Sequence, residues 1–246
     1  MPERTLKLAI AYDGTRFVGW QRQAQGESIQ GLVEDALAAL EGGPVTAHGA
    51  GRTDAGVHAE GQVASACVTF GHDAATALRA LNARLPPDIR VLRVDEAAPG
   101  FHARFGARGK SYRYQVANVP IASPFTRAFA WHVPEPLDLA AMRSAAALLE
   151  GTHDFAAFRS TGSDVATTVR TVTRSALREA GGLLLYEVDG DGFLRHMVRA
   201  LAGTLVDVGR GCRAPGDVGA LLEGAPRAAA GPTAPAHGLF LARVEY

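Results

Sequence analysis

Apolar and polar residues recur along this chain with two periods, and each period predicts a different kind of element. Apolar residues at every second position, in runs rich in strand formers, predict strands, whereas recurrence every three or four residues predicts helices. The predicted strands are 6–12, 45–50, 62–70, 90–94, 110–117, 128–133, 168–178, 183–189 and 239–246. The predicted helices are 29–41, with Ser28 as N-cap, 73–85, 137–149 and 193–208.

The order of these elements predicts the fold class. Strands and helices do not alternate strictly, and strands 168–178 and 183–189 are predicted to form an antiparallel pair across a Gly-Gly turn. We therefore expect an α+β fold with a mixed, mainly antiparallel sheet and helices on one face. Each half holds strands and two helices, and the stretch 120–124 is the predicted boundary between an N-terminal domain, 1–119, and a C-terminal domain, 120–246.

Composition is typical of a soluble protein that folds around its own core. The 246 residues are 47% hydrophobic, which is enough for one large domain or two small ones. Cys67 and Cys212 lie far apart in sequence, so neither a disulfide framework nor a cysteine-rich zinc site is expected. The sequence has no signal-peptide pattern and no stretch near the roughly 20 apolar residues that span a bilayer. These features favour a cytoplasmic location.

The charge of the chain does not by itself indicate a partner. A formal net charge of zero argues at first sight against nucleic acid, because phosphate binding depends on Lys and Arg. However, 23 of the 25 basic residues are Arg, and the planar guanidinium suits both phosphates and base stacking. A compositional drift toward Arg would produce the same bias, so the bias alone decides nothing.

The loop GRTDAGVH, from Gly51 to His58, carries the first candidate chemistry. Its composition is typical of an Asx turn, in which the Asp54 side chain bonds nearby backbone and Gly56 adopts a positive φ. Loops held by a rigid sheet also carry catalytic side chains, so both interpretations stay open. The spacing does not fit a phosphate-binding loop, and the H-x-E at His58 lacks the P-C-x-x-C of the zinc deaminases.

Three further motifs have both an ordinary and a functional interpretation. The stretch 11–21 combines aromatic and turn residues, as a core hairpin does. In 101–114, basic and aromatic residues interleave, with Tyr112 and Tyr114 on one strand face and Arg113 on the other. This pattern suits loop RNA, although a half-buried strand with extended arginines is similar. In 193–199, Arg195 and Arg199 are expected on one face of an amphipathic helix.

Taken in order, five motifs make the chain resemble the tRNA pseudouridine synthase A family. They are AYDGTRFVGWQRQ, GRTDAGVHAEGQV, FHARFGARGKSYRY, HDFAAFR and FLRHMVRALAGTLVDVG, and the resemblance extends from about Leu6 to Tyr246. It implies the pseudouridine synthase fold, in which two similar subdomains form a central cleft. It also implies isomerisation of uridine to pseudouridine at positions 38, 39 and 40 of the tRNA anticodon stem-loop, by a homodimer without cofactor or metal.

The resemblance also assigns roles to individual residues. Asp54 matches the essential aspartate, and Arg199 matches the arginine that pairs with it. Tyr112 matches the tyrosine that packs on the target base, and Arg52 matches the arginine thought to fill the space left by the flipped nucleotide. Three residues of the matching motifs are expected to support the loop without acting in catalysis: Trp20, Gln21 and His58.

Three other functions remain open at this point. One is a pseudouridine synthase that acts on another RNA position, and the second is an RNA-binding module without catalysis. The third is a metal-dependent hydrolase that uses His58 and Glu60 with His48 or His72. Substitution of Asp54 separates the first two from each other, and a chelator tests the third.

Overall fold

The chain forms two compact units, and the computed structural model describes residues 2–160 and 165–246. The first unit runs to Arg108 and includes Phe240–Tyr246, and the second is Gly109–Leu239. The division therefore differs from the sequence-predicted boundary at 119/120. The reason is strand pairing: the strand Gly109–Ala117 pairs along most of its length with Leu183–Gly190 and so packs with the second unit.

The elements are numbered in chain order. The strands are β1 Arg4–Tyr12, β2 Ala47–Gly49, β3 His58–Val68, β4 Ile89–Glu96, β5 Gly109–Ala117, β6 Trp131–His132, β7 Gly151–Asp154, β8 Val169–Ala180, β9 Leu183–Gly190 and β10 Leu239–Glu245. The α-helices are α1 Ile29–Glu41, α2 Ala74–Arg84, α3 Leu139–Ala147, α4 Met197–Gly209 and α5 Asp217–Ala220. Among the described residues, no helix is long and apolar enough to cross a membrane.

The sheet of the first unit is built around β3. Antiparallel β1 pairs with one edge of β3 and carries antiparallel β4 on its own far side. β2 pairs antiparallel with residues 64–66 of β3. β10 pairs parallel with residues 58–59 of β3. Every second residue of β1 from Leu6 to Tyr12 is buried, as period two predicts for a strand with one covered face. The strands predicted from the sequence in this unit are confirmed, but β3 begins at His58, four residues before the predicted start at 62.

Local capping chemistry sets the helices of the first unit. The Ser28 hydroxyl accepts the Gly31 N–H at 3.2 Å and begins α1, which ends at Gly42 with φ 77°. Asp73 accepts the Thr76 N–H at 2.7 Å and begins α2. Both predicted helices are confirmed, because caps and apolar period are local signals.

The sheet of the second unit has the order β6-β5-β9-β8-β7. The pairs β5 with β9, β9 with β8 and β8 with β7 are antiparallel, and β6 is parallel to its neighbour β5. The predicted hairpin is confirmed, with Ala180 opposite Leu183 across the Gly-Gly turn. Both units thus have a mainly antiparallel α+β architecture, as predicted.

Two sequence predictions in the second unit are wrong in their extent. The predicted strand 128–133 shortens to Trp131–His132, because the Phe129 N–H bonds the Thr126 carbonyl at 2.9 Å and forms a turn. The predicted helix 193–208 begins only at Met197, since His196 has φ 62°, which a right-handed helix excludes. Arg195 therefore precedes α4 and does not share a helix face with Arg199.

Candidate active site

A tight turn holds Asp54 in the loop between β2 and β3. The Val57 N–H donates to the Asp54 carbonyl at 3.1 Å, and Gly56 adopts φ 76°, as the sequence predicted. A residue with a side chain rarely takes this φ, so Gly56 makes the turn accessible at low cost. The turn fixes the backbone on which the Asp54 carboxylate is carried.

The segment after β1 packs directly against this turn. The Trp20 N–H donates to the Thr53 carbonyl at 3.0 Å. A Cβ placed on Gly14 would lie 2.0 Å from the Val57 carbonyl oxygen, so the two backbones touch there. The indole of Trp20 is buried and fills the space beside Gly49. Trp20 therefore has the supporting position that the sequence predicted.

A buried polar network lies beneath the loop. The Tyr12 hydroxyl and the Thr53 hydroxyl are hydrogen-bonded at 2.8 Å. The Gln62 amide donates to the Tyr12 oxygen at 3.3 Å and to the Gly51 carbonyl at 2.9 Å. Burial raises the pKa of Tyr12 to about 12, although both hydrogen bonds oppose the shift, so the phenol stays protonated at neutral pH. The sequence analysis did not single out Gln62. The signal that could have done so is its amide side chain, which stands in an otherwise largely apolar strand.

His58 supports the loop from below. It is 1% exposed, its Nδ1 accepts the Gly14 N–H at 3.0 Å, and Asp13 Oδ1 lies 3.1 Å from the same nitrogen. Its ring stacks on Phe240 at 4.7 Å. These contacts match the supporting role expected from the sequence. Within residues 2–160 and 165–246, no group of three or more His, Cys, Asp or Glu side chains is placed to hold a metal ion.

Arg52 and Asp54 differ from the rest of the loop in their exposure. Arg52 is exposed and Asp54 is partly exposed, whereas Thr53 between them is buried. In the part of the chain that the structure describes, no hydrogen bond or ion pair holds the Arg52 guanidinium. The loop thus combines a rigid backbone with two charged side chains that reach solvent, an arrangement suited to an external substrate.

Tyr112 lies on β5 in the second unit. It is 8% exposed, sits opposite Val188 of β9, and meets Phe193 edge-on at 5.1 Å. Tyr114 lies on the same strand face and is fully buried, and its hydroxyl donates to the Pro235 carbonyl at 2.8 Å. The predicted alternation along β5 is confirmed. Both tyrosines are buried, and Tyr112 in addition contacts the ring of Phe193.

Arg199 lies in the first turn of α4, and two backbone contacts fix its stem. Its Nε donates to the Ala234 carbonyl at 2.8 Å, and its own carbonyl accepts the Ala234 N–H at 3.0 Å. These contacts tie the start of α4 to the segment before β10. The stem of Arg199 is therefore more constrained than that of a surface arginine.

The turn before α4 contains a strained residue that sequence reasoning did not single out. His196 has φ 62° and ψ 4°, and it is the only residue other than glycine with positive φ in the described part of the chain. The Ser160 hydroxyl lies 2.8 Å from His196 Nδ1, and the Ser160 N–H donates to the Arg195 carbonyl at 3.2 Å. Strain of this kind persists only where neighbouring groups enforce it.

The four predicted site residues divide between the two units. Arg52 and Asp54 belong to one loop of the first unit, and Tyr112 and Arg199 belong to β5 and α4 of the second. Each lies in or directly beside a regular element and has a fixed backbone.

Comparison with protein families identifies the class of this chain. A family model described as tRNA pseudouridine synthase matches residues 8–106 and 145–246, which is well over half of the chain. The match includes Arg52, Asp54 and Arg199. The chain therefore belongs to the tRNA pseudouridine synthase family and is an RNA-modifying isomerase.

Curated relatives match this chain over nearly its whole length. The tRNA pseudouridine synthase A of Geobacter sulfurreducens is 49% identical, with 99% of this chain and 100% of the relative covered. The tRNA pseudouridine synthase A of Syntrophotalea carbinolica is also 49% identical, with 98% and 96% covered. Among solved structures, a Cbf5-Nop10-Gar1 complex is 15% identical and covers 82% of this chain and 45% of its own, at a TM-score of 0.33, too low to bear on fold or function.

Proposed function

We propose that this chain converts uridine to pseudouridine at positions 38, 39 and 40 of the tRNA anticodon stem-loop, with Asp54 as the catalytic carboxylate. Membership of the family and the full-length relatives named tRNA pseudouridine synthase A support the reaction and the tRNA substrate. The observation that carries the role of Asp54 is its place on a loop whose backbone is fixed from two sides while its side chain reaches solvent.

The reaction defines what such a carboxylate must do. The bond between N1 of uracil and C1′ of ribose breaks, the base turns, and a bond forms between C5 and C1′. The proton at C5 is lost and N1 gains one, so the composition of the RNA does not change. An ionised Asp54 has three routes: attack at C1′, attack at C6, or removal of a ribose proton to give a glycal. Each of these routes requires the anion.

The other three residues are assigned to the substrate. The exposed guanidinium of Arg52 suits the space left by an extruded nucleotide, whose unstacking costs a few kcal/mol. The Tyr112 ring is held edge-on by Phe193 and suits packing against uracil, a contact worth about 1–3 kcal/mol. Arg199 supplies a cation that keeps a carboxylate ionised. The ion pair between Asp54 and Arg199 stays a prediction, as do the homodimer and the cytoplasmic location.

Replacement of Asp54 tests this proposal. Asp54→Asn keeps the shape of the side chain and removes its charge, so product formation should fall by at least about 10³-fold. Binding of tRNA should change by less than about threefold, because other residues carry the phosphate contacts. Asp95→Asn is the matched control, since Asp95 is also a partly exposed aspartate of the first unit, in β4.

The assay uses an unmodified tRNA transcript, carbodiimide treatment and primer extension across the anticodon arm. Stops that mark pseudouridine at positions 38 to 40, each one nucleotide to the 3′ side, are expected with wild-type protein and with Asp95→Asn but not with Asp54→Asn. Stops at other positions would favour a synthase with a different site, and binding without any stop would favour a non-catalytic RNA-binding module. EDTA should leave these stops unchanged, and their loss would show that the reaction needs a metal ion, which the proposal does not include.

A further inference from the structure

A row of three rings lies on the first unit, outside the loop that carries Asp54. His48 and His102 stack with centroids 4.8 Å apart and planes 27° apart. Phe105 continues the row, with its centroid 4.4 Å from that of His102. We refer to His48, His102 and Phe105 as the ring row. Phe105 ends the row, with its ring tilted by 35° against that of His102, and it is 77% exposed, so one end of the row meets solvent.

The turn that carries His102 and Phe105 is anchored in the core. Ala103 is fully buried, its N–H donates to the Ser65 hydroxyl at 3.0 Å, and its carbonyl accepts the Tyr246 hydroxyl at 2.8 Å. His102 Nδ1 accepts the Arg104 N–H at 3.1 Å. The platform is therefore already ordered, and a ligand that stacks on it loses little entropy in arranging it.

The hydrogen bond at Nδ1 also determines the charge of His102. Because Nδ1 accepts a hydrogen bond, His102 is neutral in this geometry. Burial, with His48 and Arg104 adding smaller effects, lowers the pKa of His102 and favours the same form. The middle ring is thus a neutral aromatic surface at physiological pH.

The charges near Phe105 indicate which kind of ligand would bind there. The Arg104 guanidinium lies 5.6 Å from the Phe105 ring centroid. Residues 97–108, which belong to the same unit as Phe105, contain Arg104 and Arg108 but no Asp or Glu, although the whole chain has a net charge of zero. An exposed ring beside cations, in a stretch without carboxylates, suits a flat apolar ligand that carries negative charge. An unpaired nucleotide has this combination of base and phosphate.

We propose that Phe105, backed by His102 and His48, stacks on an unpaired base of the bound RNA while Arg104 contacts an adjoining phosphate. The proposal rests on the proposed function, because it takes tRNA as the partner. It adds a binding site that acts on affinity and does not take part in the isomerisation. A lone exposed apolar side chain such as Leu92, which is 56% exposed, needs no such explanation.

Substitutions at Phe105 separate stacking from mere apolar contact. Phe105→Ala and Phe105→Leu should both weaken tRNA binding, by about tenfold for Ala, whereas Phe105→Trp should retain or improve it. Leu92→Ala is the matched control, an exposed apolar residue of the same unit, and should bind as wild type does. Dissociation constants come from fluorescence anisotropy with full-length protein and a labelled tRNA transcript.

The salt dependence of binding distinguishes the ring from the cation. Phe105→Ala should leave the slope of log K against log salt unchanged, because a ring releases no counterions. Arg104→Gln should reduce that slope by about 0.7–0.9, the value of one phosphate contact. Two results would overturn the proposal. One is that Phe105→Leu binds tRNA as tightly as wild type does. The other is that Phe105→Ala loses affinity only because its oligomeric state, measured by light scattering, has changed.

The two proposals fail in different ways. If wild-type protein produces stops at 38 to 40 but Phe105→Ala binds tRNA normally, the ring row has no role and the proposed function stands. If wild-type protein binds tRNA in a manner that depends on Phe105 but makes no product, the proposed function fails and the stacking site stands.

Discussion

Replacement of Gly14 by alanine should displace the loop that carries Asp54. Gly14 touches the loop by its backbone alone, and an added Cβ would lie 2.0 Å from the Val57 carbonyl oxygen. Real Cβ atoms essentially never come closer than 3.0 Å to such an atom, so the two segments must separate by at least 1.0 Å. The main chain of Gly14 has an ordinary φ, and the substitution therefore tests the close approach and not backbone strain.

The size of the effect follows from the connections of Val57. Its N–H closes the turn onto the Asp54 carbonyl, so a displaced Val57 carries Asp54 with it. Overpacking of this kind costs about 1–3 kcal/mol of unfolding free energy, which corresponds to a fall in Tm of about 2–12 °C for a chain of this size. A misplacement of about 1 Å at a reacting group lowers kcat/KM by about 100-fold.

Gly43→Ala is the control for Gly14→Ala. A Cβ on Gly43 meets nothing within 4 Å, and Gly43 also has an ordinary φ. Thermal unfolding and the primer-extension assay, run well below the Tm of each variant, measure the two effects separately. Wild-type Tm and activity in Gly14→Ala would refute the reasoning. A lowered Tm with normal activity would show that the position of Asp54 tolerates the shift.

Two further predictions concern the supports of the candidate site. Burial raises the pKa of Tyr12 from 10.0 to about 12, so its contribution to stability is complete below pH 10 and is lost as the pH rises to 12. Tyr12→Phe should reduce the proton release on unfolding in this range by about one proton, and an unchanged pH slope in urea unfolding would contradict this. His196→Ala should be less stable than His196→Gly by about 1 kcal/mol, because only alanine has strain at φ 62°. Equal unfolding free energies in urea would contradict it.

Much of the fold could be predicted because its signals are local. Ser28 caps the helix it was expected to cap, and the Gly-Gly turn joins β8 to β9 as predicted. The start of α4 could not be predicted in this way. Its apolar spacing extends back to 193, but Ser160, 36 positions away, contacts His196 in a conformation that excludes the helix.

In the candidate site, too, local features could be predicted and long-range contacts could not. The five motifs, of which the loop around Asp54 is one, were together sufficient to indicate the family, because residue types at a given spacing can be read from the chain itself. The buried network of Tyr12, Thr53 and Gln62 could not be read in this way. It joins residues up to 50 positions apart, and it forms only when β1 and β3 pair in their observed register.

The sequence by itself determined the type of most elements, the α+β class, the glycine turn at Gly56 and the motifs that indicate the family. The tertiary structure decided which segments pack together: β10 joins the first unit in parallel with β3, and Gly14 meets Val57. The physical reason is that periodicity and capping depend on neighbours within a few residues. Strand partners and backbone contacts depend on burying whole faces, and that choice is made between segments far apart in the chain.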